Sequence, residues 1–321
     1  MLININALQS SREALLQKEP CGSLKTQEMR RVQPVVNAVE RQRITRYAYL
    51  GPEATFTEAA LRTLPGIDDA ECISFATVAA ALDAVRNGAV DAAMAPLENS
   101  IEGGVPATMV EFVSGGLLHI VAEVHLKVEF ALMGLSGAKL NAIDRVVTHP
   151  HAFGQCRPWL QQWLPDAKQD NASSTAAAAF SVAEVRAGRT AAIAAPMAAA
   201  RYGLEVLANN IGERNDSVTR FVLLRRPGPP APRSGKDRTS IHAVADYDHL
   251  DWLRHVLDSF ASRGVPVTRI DPRPTGAGFG RYHFLIDCDG HVLDPPVKDA
   301  LGGLQQYGVA VRFLGSYPRG Q

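Results

Sequence analysis

The sequence predicts an α/β protein of two similar lobes facing one crevice, followed by a smaller α+β domain with the strand and helix order of a ferredoxin-like fold. Three observations carry this. An internal repeat pairs VRNGAVDAAMAPLE, from Val85, with VRAGRTAAIAAPMA, from Val185. RRPGPPAPRSGKDR, Arg225 to Arg238, is rich in proline, glycine and basic residues and has little to bury, as a semi-rigid linker does. Beyond it, runs of strand and helix length follow in the order β-α-β-β-α-β.

Composition sets the outer limits. A chain of 321 residues favours two domains over one. Lys plus Arg equals Asp plus Glu, 33 each, so no field attracts nucleic acid or an acidic membrane. No apolar run is long enough to span a bilayer, and the start has no signal-peptide pattern. Cys21, Cys72, Cys156 and Cys288 are scattered without a CxxC pair, which predicts reduced thiols in a cytoplasmic protein rather than a disulfide scaffold or zinc site. No metal or cofactor is expected.

Residues 1–45 are polar and mildly basic and read as a loosely ordered or surface-docked extension. RYAYLGP opens the first lobe as a strand ending in a glycine turn. In each half of the repeat a helix (TVAAALDAV, STAAAAFSVAEV) is followed by a glycine stop, an Ala-rich strand and a proline. Gly88 and Gly188 are expected to end their helices in the left-handed conformation, and Pro96 and Pro196 to stop their strands. After the linker, TSIHAVADY reads as a strand and HLDWLRHVLDSFASRG as an amphipathic helix with Leu250, Leu253, Val256, Leu257 and Phe260 on its apolar face. VPVTRIDPRP and RYHFLIDCDGH read as strands, with GAGFG as the hairpin loop between them. DPPVKDALGGLQQYG reads as a helix and VAVRFLGSYP as the last strand.

The chemistry gathers at the polar clusters. PLENSIEGGV sets Glu98, Asn99 and Ser100 side by side after the buried strand AVDAAMA, where open α/β sheets meet their ligands. The second copy of the repeat ends in the bland MAAARYGL, so the first lobe is the chemical one. NDSVTRF supplies the Thr219 hydroxyl and the Arg220 cation, the latter suited to a carboxylate or to an ordinary strand edge. Thr55, in GPEATFTEAAL, lies at a helix start where an anion site and a simple N-cap need the same residues. SSTAAAAF, with Ser174 and Thr175, poses the same choice in the second lobe. THPHAFGQC contributes Thr148, a structural or pocket His149, and Gln155 as a pocket donor or a surface glutamine.

These motifs together resemble the prephenate dehydratases. GPEATFTEAAL is similar to that family's GPxGTFxExA, PLENSIEGGV to its PxENSxxGxV, THPHAFGQC to its S/T-H-P-x-x-x-x-Q-C, VTRF to its TRF signature, and VTRIDPRP to the ESRP stretch of its ACT domain. The order is collinear from about Arg46 to Pro318. The resemblance implies a periplasmic-binding-protein type II-like catalytic region over 46–226, with its second lobe at about 124–205. It also implies a linker at 227–237 and a regulatory ACT domain at 238–318. It further implies conversion of prephenate to phenylpyruvate, feedback by phenylalanine, and a homodimer or homotetramer built through ACT domains. Arogenate dehydratase, a non-aromatising prephenate decarboxylase and a non-catalytic sensor stand as alternatives.

Carried over residue by residue, Thr219 is the central catalytic hydroxyl, and Glu98 is the expected proton source. Asn99, Ser100, Thr55, Thr148, Gln155, Ser174 and Thr175 orient substrate; Arg220 holds a carboxylate or braces Thr219, and Phe221 anchors the strand. In the ACT region the family's GAL motif falls on Asp251, Trp252 and Leu253, and ESRP becomes Asp271-Pro272-Arg273-Pro274. Charge and bulk replace a glycine there and a proline removes a backbone donor, so weakened phenylalanine inhibition is expected. Ala54 replaces a usual glycine, a mild change where the local φ is negative.

Overall fold

The structure is a computed structural model describing residues 44–320, apart from 187, 215, 246–250 and 276–280. The N-terminal extension, the GAGFG loop, Leu250 and Asn215 lie outside the described residues.

The first lobe comprises β1 (Arg46–Leu50), α1 (Phe56–Arg62), β2 (Glu71–Phe75), α2 (Val78–Arg86), β3 (Ala92–Asn99), β4 (Gly103–Gly104), α3 (Pro106–Ser114) and β5 (His119–Lys127). The chain then builds a second sheet from β6 (Ala131–Gly134), β7 (Arg145–Thr148), α4 (Pro150–Trp163), β8 (Lys168–Asn171), α5 (Thr175–Val185), β9 (Thr190–Ala194), α6 (Met197–Tyr202) and β10 (Glu205–Ala208). It returns to the first sheet as β11 (Val218–Arg225), inserted antiparallel between β3 and β5. The sheet orders are β2-β1-β3-β11-β5 and β10-β6-β9-β7-β8.

Local chemistry explains several element ends. Thr77 caps α2 by accepting from the Ala80 amide at 3.1 Å, and Gly88 turns the chain at φ +77°. The second copy of the repeat departs from this. Arg186, at φ +51°, is the left-handed cap of α5, and Gly188 is not left-handed. Pro96 does not stop β3; the strand continues to Asn99. The register explains how. Phe221 pairs with Pro96 and Arg220 with Glu98, leaving Leu97 as an extra residue in a β-bulge, a position that tolerates the missing proline donor.

The third sheet is formed by β12 (Asp237–Ala245), β13 (Val267–Pro274), β14 (Tyr282–Asp289) and β15 (Val309–Pro318), in the antiparallel order β13-β14-β12-β15. With α7 (Asp251–Ala261) and α8 (Pro295–Gly303) this is a ferredoxin-like domain. Ile241, Ala243, Phe284 and Ile286 pack beneath Trp252, Val256 and Phe260, while Leu285, Leu314 and Tyr317 join the core of the first lobe with Val222 and Leu224. At Gly315 a Cβ would sit 2.2 Å from the Ile120 carbonyl oxygen, so the backbones of β15 and β5 meet without an intervening side chain.

The segment between β11 and β12 is docked along its length. Arg226 donates to the Val85 carbonyl at 2.8 Å, His119 Nδ1 meets Gly228, and His291 Nε2 lies 2.8 Å from the Ala231 carbonyl oxygen. No helix among the described residues is long and apolar enough to cross a membrane.

Candidate active site

The bulge at Leu97 decides which side chains share a face. Ala93, Ala95 and Leu97 pack in the core beside Val222 and Leu224. Simple alternation would put Asn99 on that same side and Glu98 opposite. The extra residue inverts this. Glu98 pairs with Arg220, and Asn99 pairs with Thr219 on the other face.

On that face Asn99 organises four hydrogen bonds. Its Nδ2 donates to Thr219 Oγ1 at 2.9 Å and to Ser217 Oγ at 3.2 Å. Its Oδ1 accepts the Ile101 and Glu102 amides at 2.9 and 3.1 Å, fixing the loop that follows. Ser100 Oγ accepts the Val218 amide at 3.0 Å. Because Asn99 donates to the Thr219 oxygen, the proton of that hydroxyl is left to point elsewhere, as a donor. Ser217, fully buried, is a member of this set that the sequence alone did not single out, although it lies inside NDSVTRF.

The second lobe meets this loop through α4. Gln155 Nε2 donates to Glu102 Oε1 at 2.7 Å, and His151 Nδ1 lies 2.6 Å from Glu102 Oε2. His149 caps α4, its Nδ1 accepting the His151 amide at 3.3 Å, which leaves the ring proton on Nε2. Burial, aided by His151, pushes the His149 pKa down, so the ring is neutral. A second bridge joins the lobes where Arg201 pairs with Glu53 and Tyr202 Oη donates to the Glu53 carbonyl at 2.7 Å. Phe56 packs edge-on against Phe130, and Ala54 enters the core of the second lobe. Glu102 and His151 were not among the expected residues; no sequence spacing links them.

The helix starts resolve as caps. Thr55 Oγ1 accepts the Glu58 amide at 3.3 Å and donates to the Leu50 carbonyl at 2.9 Å, while Glu58 reaches back to the Ala54 amide at 2.7 Å. Ser174 Oγ accepts the Ala177 amide at 3.0 Å, with Thr175 opening α5. Thr148 is buried and donates to the Ile193 carbonyl at 2.6 Å, and Phe221 is a core residue. Ala54 lies at φ +64°, so the negative angle that would make it an easy replacement for glycine is not the one adopted.

Two expected catalytic residues lie on the opposite face. Glu98 is 3.1 Å from Arg269 of β13, an ion pair that ties it to the ferredoxin-like domain rather than to the cleft. Arg220 is buried and donates to Glu123 at 2.6 Å, Asp287 at 2.6 Å and Tyr317 Oη at 2.7 Å, so each guanidinium nitrogen is engaged away from the cleft. Glu123 also takes both bonds from Arg238 Nη1, at 2.7 and 2.8 Å. Burial would raise Asp287, but the Arg220 and Arg269 guanidiniums and the Ser240 hydroxyl hold it below the usual carboxylate range.

Asp251 begins α7 at the surface; Trp252 is buried edge-on to Phe284, their centroids 5.1 Å apart; Leu253 packs partly buried beside it. The bulk of Trp252 therefore enters the core. Asp271 accepts from Arg269 at 2.7 Å and from Arg273 at 2.6 Å, and Pro274 ends β13.

Two α/β lobes joined by two crossings, with an ordered amide–hydroxyl pair at a strand end, define a periplasmic-binding-protein-like cleft enzyme carrying a ferredoxin-like domain. The prephenate dehydratase profile matches residues 47–229. A prephenate dehydratase of Amycolatopsis methanolica is 45% identical over 278 residues, covering 86% of this chain and 89% of that protein. The crystal structure of an Arthrobacter aurescens prephenate dehydratase in complex with L-Phe superposes with a TM-score of 0.80 at 48% identity, over 86% of this chain and 90% of the other. A structure described as GqqA, a novel type of quorum quenching acylase, superposes with a TM-score of 0.74 at 31% identity, over 85% and 98% of the two chains. The chain belongs to the prephenate dehydratase family.

Proposed function

We propose that this chain converts prephenate to phenylpyruvate, with Thr219 as the hydroxyl that assists the leaving group. The carrying observation is the Asn99–Thr219 bond: an amide that donates to Oγ1 keeps the Thr219 proton available to a substrate oxygen. In the reaction the bond from the ring to its carboxylate breaks and carbon dioxide departs. Its electron pair becomes the last ring double bond as the carbon–oxygen bond opposite breaks. The departing oxygen, hydrogen-bonded by Thr219, takes one proton that solvent ultimately supplies and leaves as water. Aromatisation drives the step, so the protein's task is orientation and stabilisation of charge at that oxygen.

Gln155, Glu102 and His151 link the two lobes across the cleft mouth and support its closure around substrate. Ser174 and Thr175 contribute through the first-turn amides of α5, since the Ser174 oxygen already serves the Ala177 amide. Glu98 is not the proton source in this reading, because it faces Arg269 at 3.1 Å and Arg220 at 4.0 Å, away from Thr219.

Phenylalanine is the proposed effector of the ferredoxin-like domain, read as an ACT domain, with sensitivity reduced by Pro272. Trp252 lies in the domain core and does not contribute to that reduction. β13 is an edge strand with Ile270 exposed, which supports pairing of two such domains in a homodimer.

The test is turnover of prephenate by the purified full chain, followed by phenylpyruvate absorbance in alkali, with and without phenylalanine. Phenylpyruvate formation that Thr219→Val abolishes supports the proposal. Folded protein that forms none refutes it.

A further inference from the structure

We infer that the ferredoxin-like domain sets the position of the catalytic hydroxyl directly, through Arg220, making Asp287 and Tyr317 positioning residues for the reaction. The inference rests on the proposed role of Thr219.

Thr219 and Arg220 are consecutive residues of β11, so their side chains leave the strand on opposite faces. Thr219 meets Asn99. Arg220 spends each of its three nitrogens on a different buried partner: Nε on Glu123 of β5, Nη1 on Asp287 of β14 and Nη2 on Tyr317 of β15. Two of the three belong to the ferredoxin-like domain. Those two are themselves braced, because Ser240 Oγ donates to Asp287 Oδ1 at 2.6 Å and lies 2.6 Å from Tyr317 Oη.

A planar guanidinium held at three corners has little freedom to rotate or slide, and its backbone is the link that carries Thr219. The bulge beside it matters too. The ladder between β3 and β11 shifts register between Arg220 and Phe221, so on that side pairing holds Thr219 less firmly than a regular ladder, while β5 pairs with it regularly on the other. The side-chain anchor on the far face adds to these backbone restraints. Burial of Arg220 opposes its charge, yet Tyr317, Asp287 and Glu123 outweigh that and raise its pKa, so the anchor persists across the working pH range. The domain expected to sense an effector is thus one residue removed from the reacting hydroxyl.

The experiment uses the full chain with Asp287→Asn and Tyr317→Phe, measuring kcat and KM for prephenate and checking folding by circular dichroism. Asp287→Asn removes the charge that Arg220 Nη1 meets; Tyr317→Phe removes one acceptor and keeps the ring. The expected result is a fall in kcat of roughly 10-fold for Asp287→Asn and about 3-fold for Tyr317→Phe, with KM within about 2-fold of wild type. A role in stability alone lowers the melting temperature and leaves kcat of the folded protein unchanged; that result overturns the inference. If Asp287→Asn does not fold, Tyr317→Phe decides, and wild-type kcat in that variant is fatal. Failure of the wild-type chain itself to convert prephenate sinks the functional proposal instead, and the inference with it.

Discussion

Replacing Asn99 with aspartate tests the hydrogen-bond polarity on which the active-site reading depends. The two side chains have nearly the same shape. The carboxylate can still accept the Ile101 and Glu102 amides, which lie 2.9 and 3.1 Å from Asn99 Oδ1, so the loop keeps its anchor. What changes is the other end. An amide nitrogen that donates to Thr219 at 2.9 Å becomes an oxygen that can only accept. The Thr219 proton then turns toward the new carboxylate and away from substrate, and a negative charge faces a reaction that expels a hydroxyl. Loss of one preorganised donor at a site of developing charge costs about 100- to 1,000-fold in turnover, equivalent to about 3–4 kcal/mol. The assay is steady-state phenylpyruvate formation by Asn99→Asp, with melting temperature as control. Turnover is expected to fall by that factor with KM little changed and the fold intact. An Asn99→Asp enzyme within about threefold of wild type would show that the donor to Thr219 is not what makes the hydroxyl useful.

Three further outcomes are expected. Glu98→Gln should leave turnover within about threefold, because it alters a pair with Arg269 on the face away from Thr219; a 100-fold loss, on the order of a missing catalytic donor, would make Glu98 part of the mechanism. Ala54→Gly relieves a left-handed alanine, worth about 1–2 kcal/mol. It also gives up about 0.8 kcal/mol of methyl burial and about 0.4–1 kcal/mol of unfolded-chain entropy. The melting temperature should therefore move by less than about 4 °C, and a larger rise would mean the methyl contributes nothing to the second lobe's core. Burial, reinforced by His283 and Arg312, pushes His242 down to about 4, while an unfolded histidine titrates near 6.5. Between those values the unfolded chain binds a proton that the folded chain refuses. Stability is thus intact above about pH 6.5 and falls as pH drops toward 4, by on the order of 3 kcal/mol from this group. His119, His149 and His283, also lowered by burial, add in the same direction. Urea midpoints at pH 7.5 and 5 should reveal this, and His242→Gln should flatten the difference; an equal slope in that variant would exclude His242 as the source.

Much of the architecture was legible because it is written in local punctuation. Gly88 ends its helix in the left-handed conformation, and the proline-rich stretch after Arg225 separates β11 from β12, as the sequence predicts. Two departures are local, the left-handed angles at Arg186 and Ala54, and those at the site originate in interactions between distant residues. Nothing local announces that Leu97 is an extra residue opposite Phe221, yet that one insertion turns Glu98 away from the cleft and Asn99 into it. Arg220 shows a simpler limit. Period-two alternation already places it on the face opposite Thr219, but its partners Asp287 and Tyr317 lie in another domain and could not be named. At Thr55 and Ser174 the sequence supported cap and anion site equally, and the bonds to Glu58 and Ala177 show that both side chains serve as caps. The bridge from Glu102 to His151 and Gln155 depends on how the lobes meet, which no spacing encodes.

The second lobe is an insertion within the first, and this has a consequence for how the chain matures. Residues 131–208 form one continuous stretch that can pair its own strands as soon as it is synthesised. The first sheet cannot close then, because β5 waits for β11 to join it to β3. Its completion is a long-range event, slow by topology, and happens only after the entire second lobe has been made. Thr219 lies on that last strand. The reacting hydroxyl and the assembly of the first lobe therefore arrive together, so a partly made or partly unfolded chain has no half-formed active site to expose.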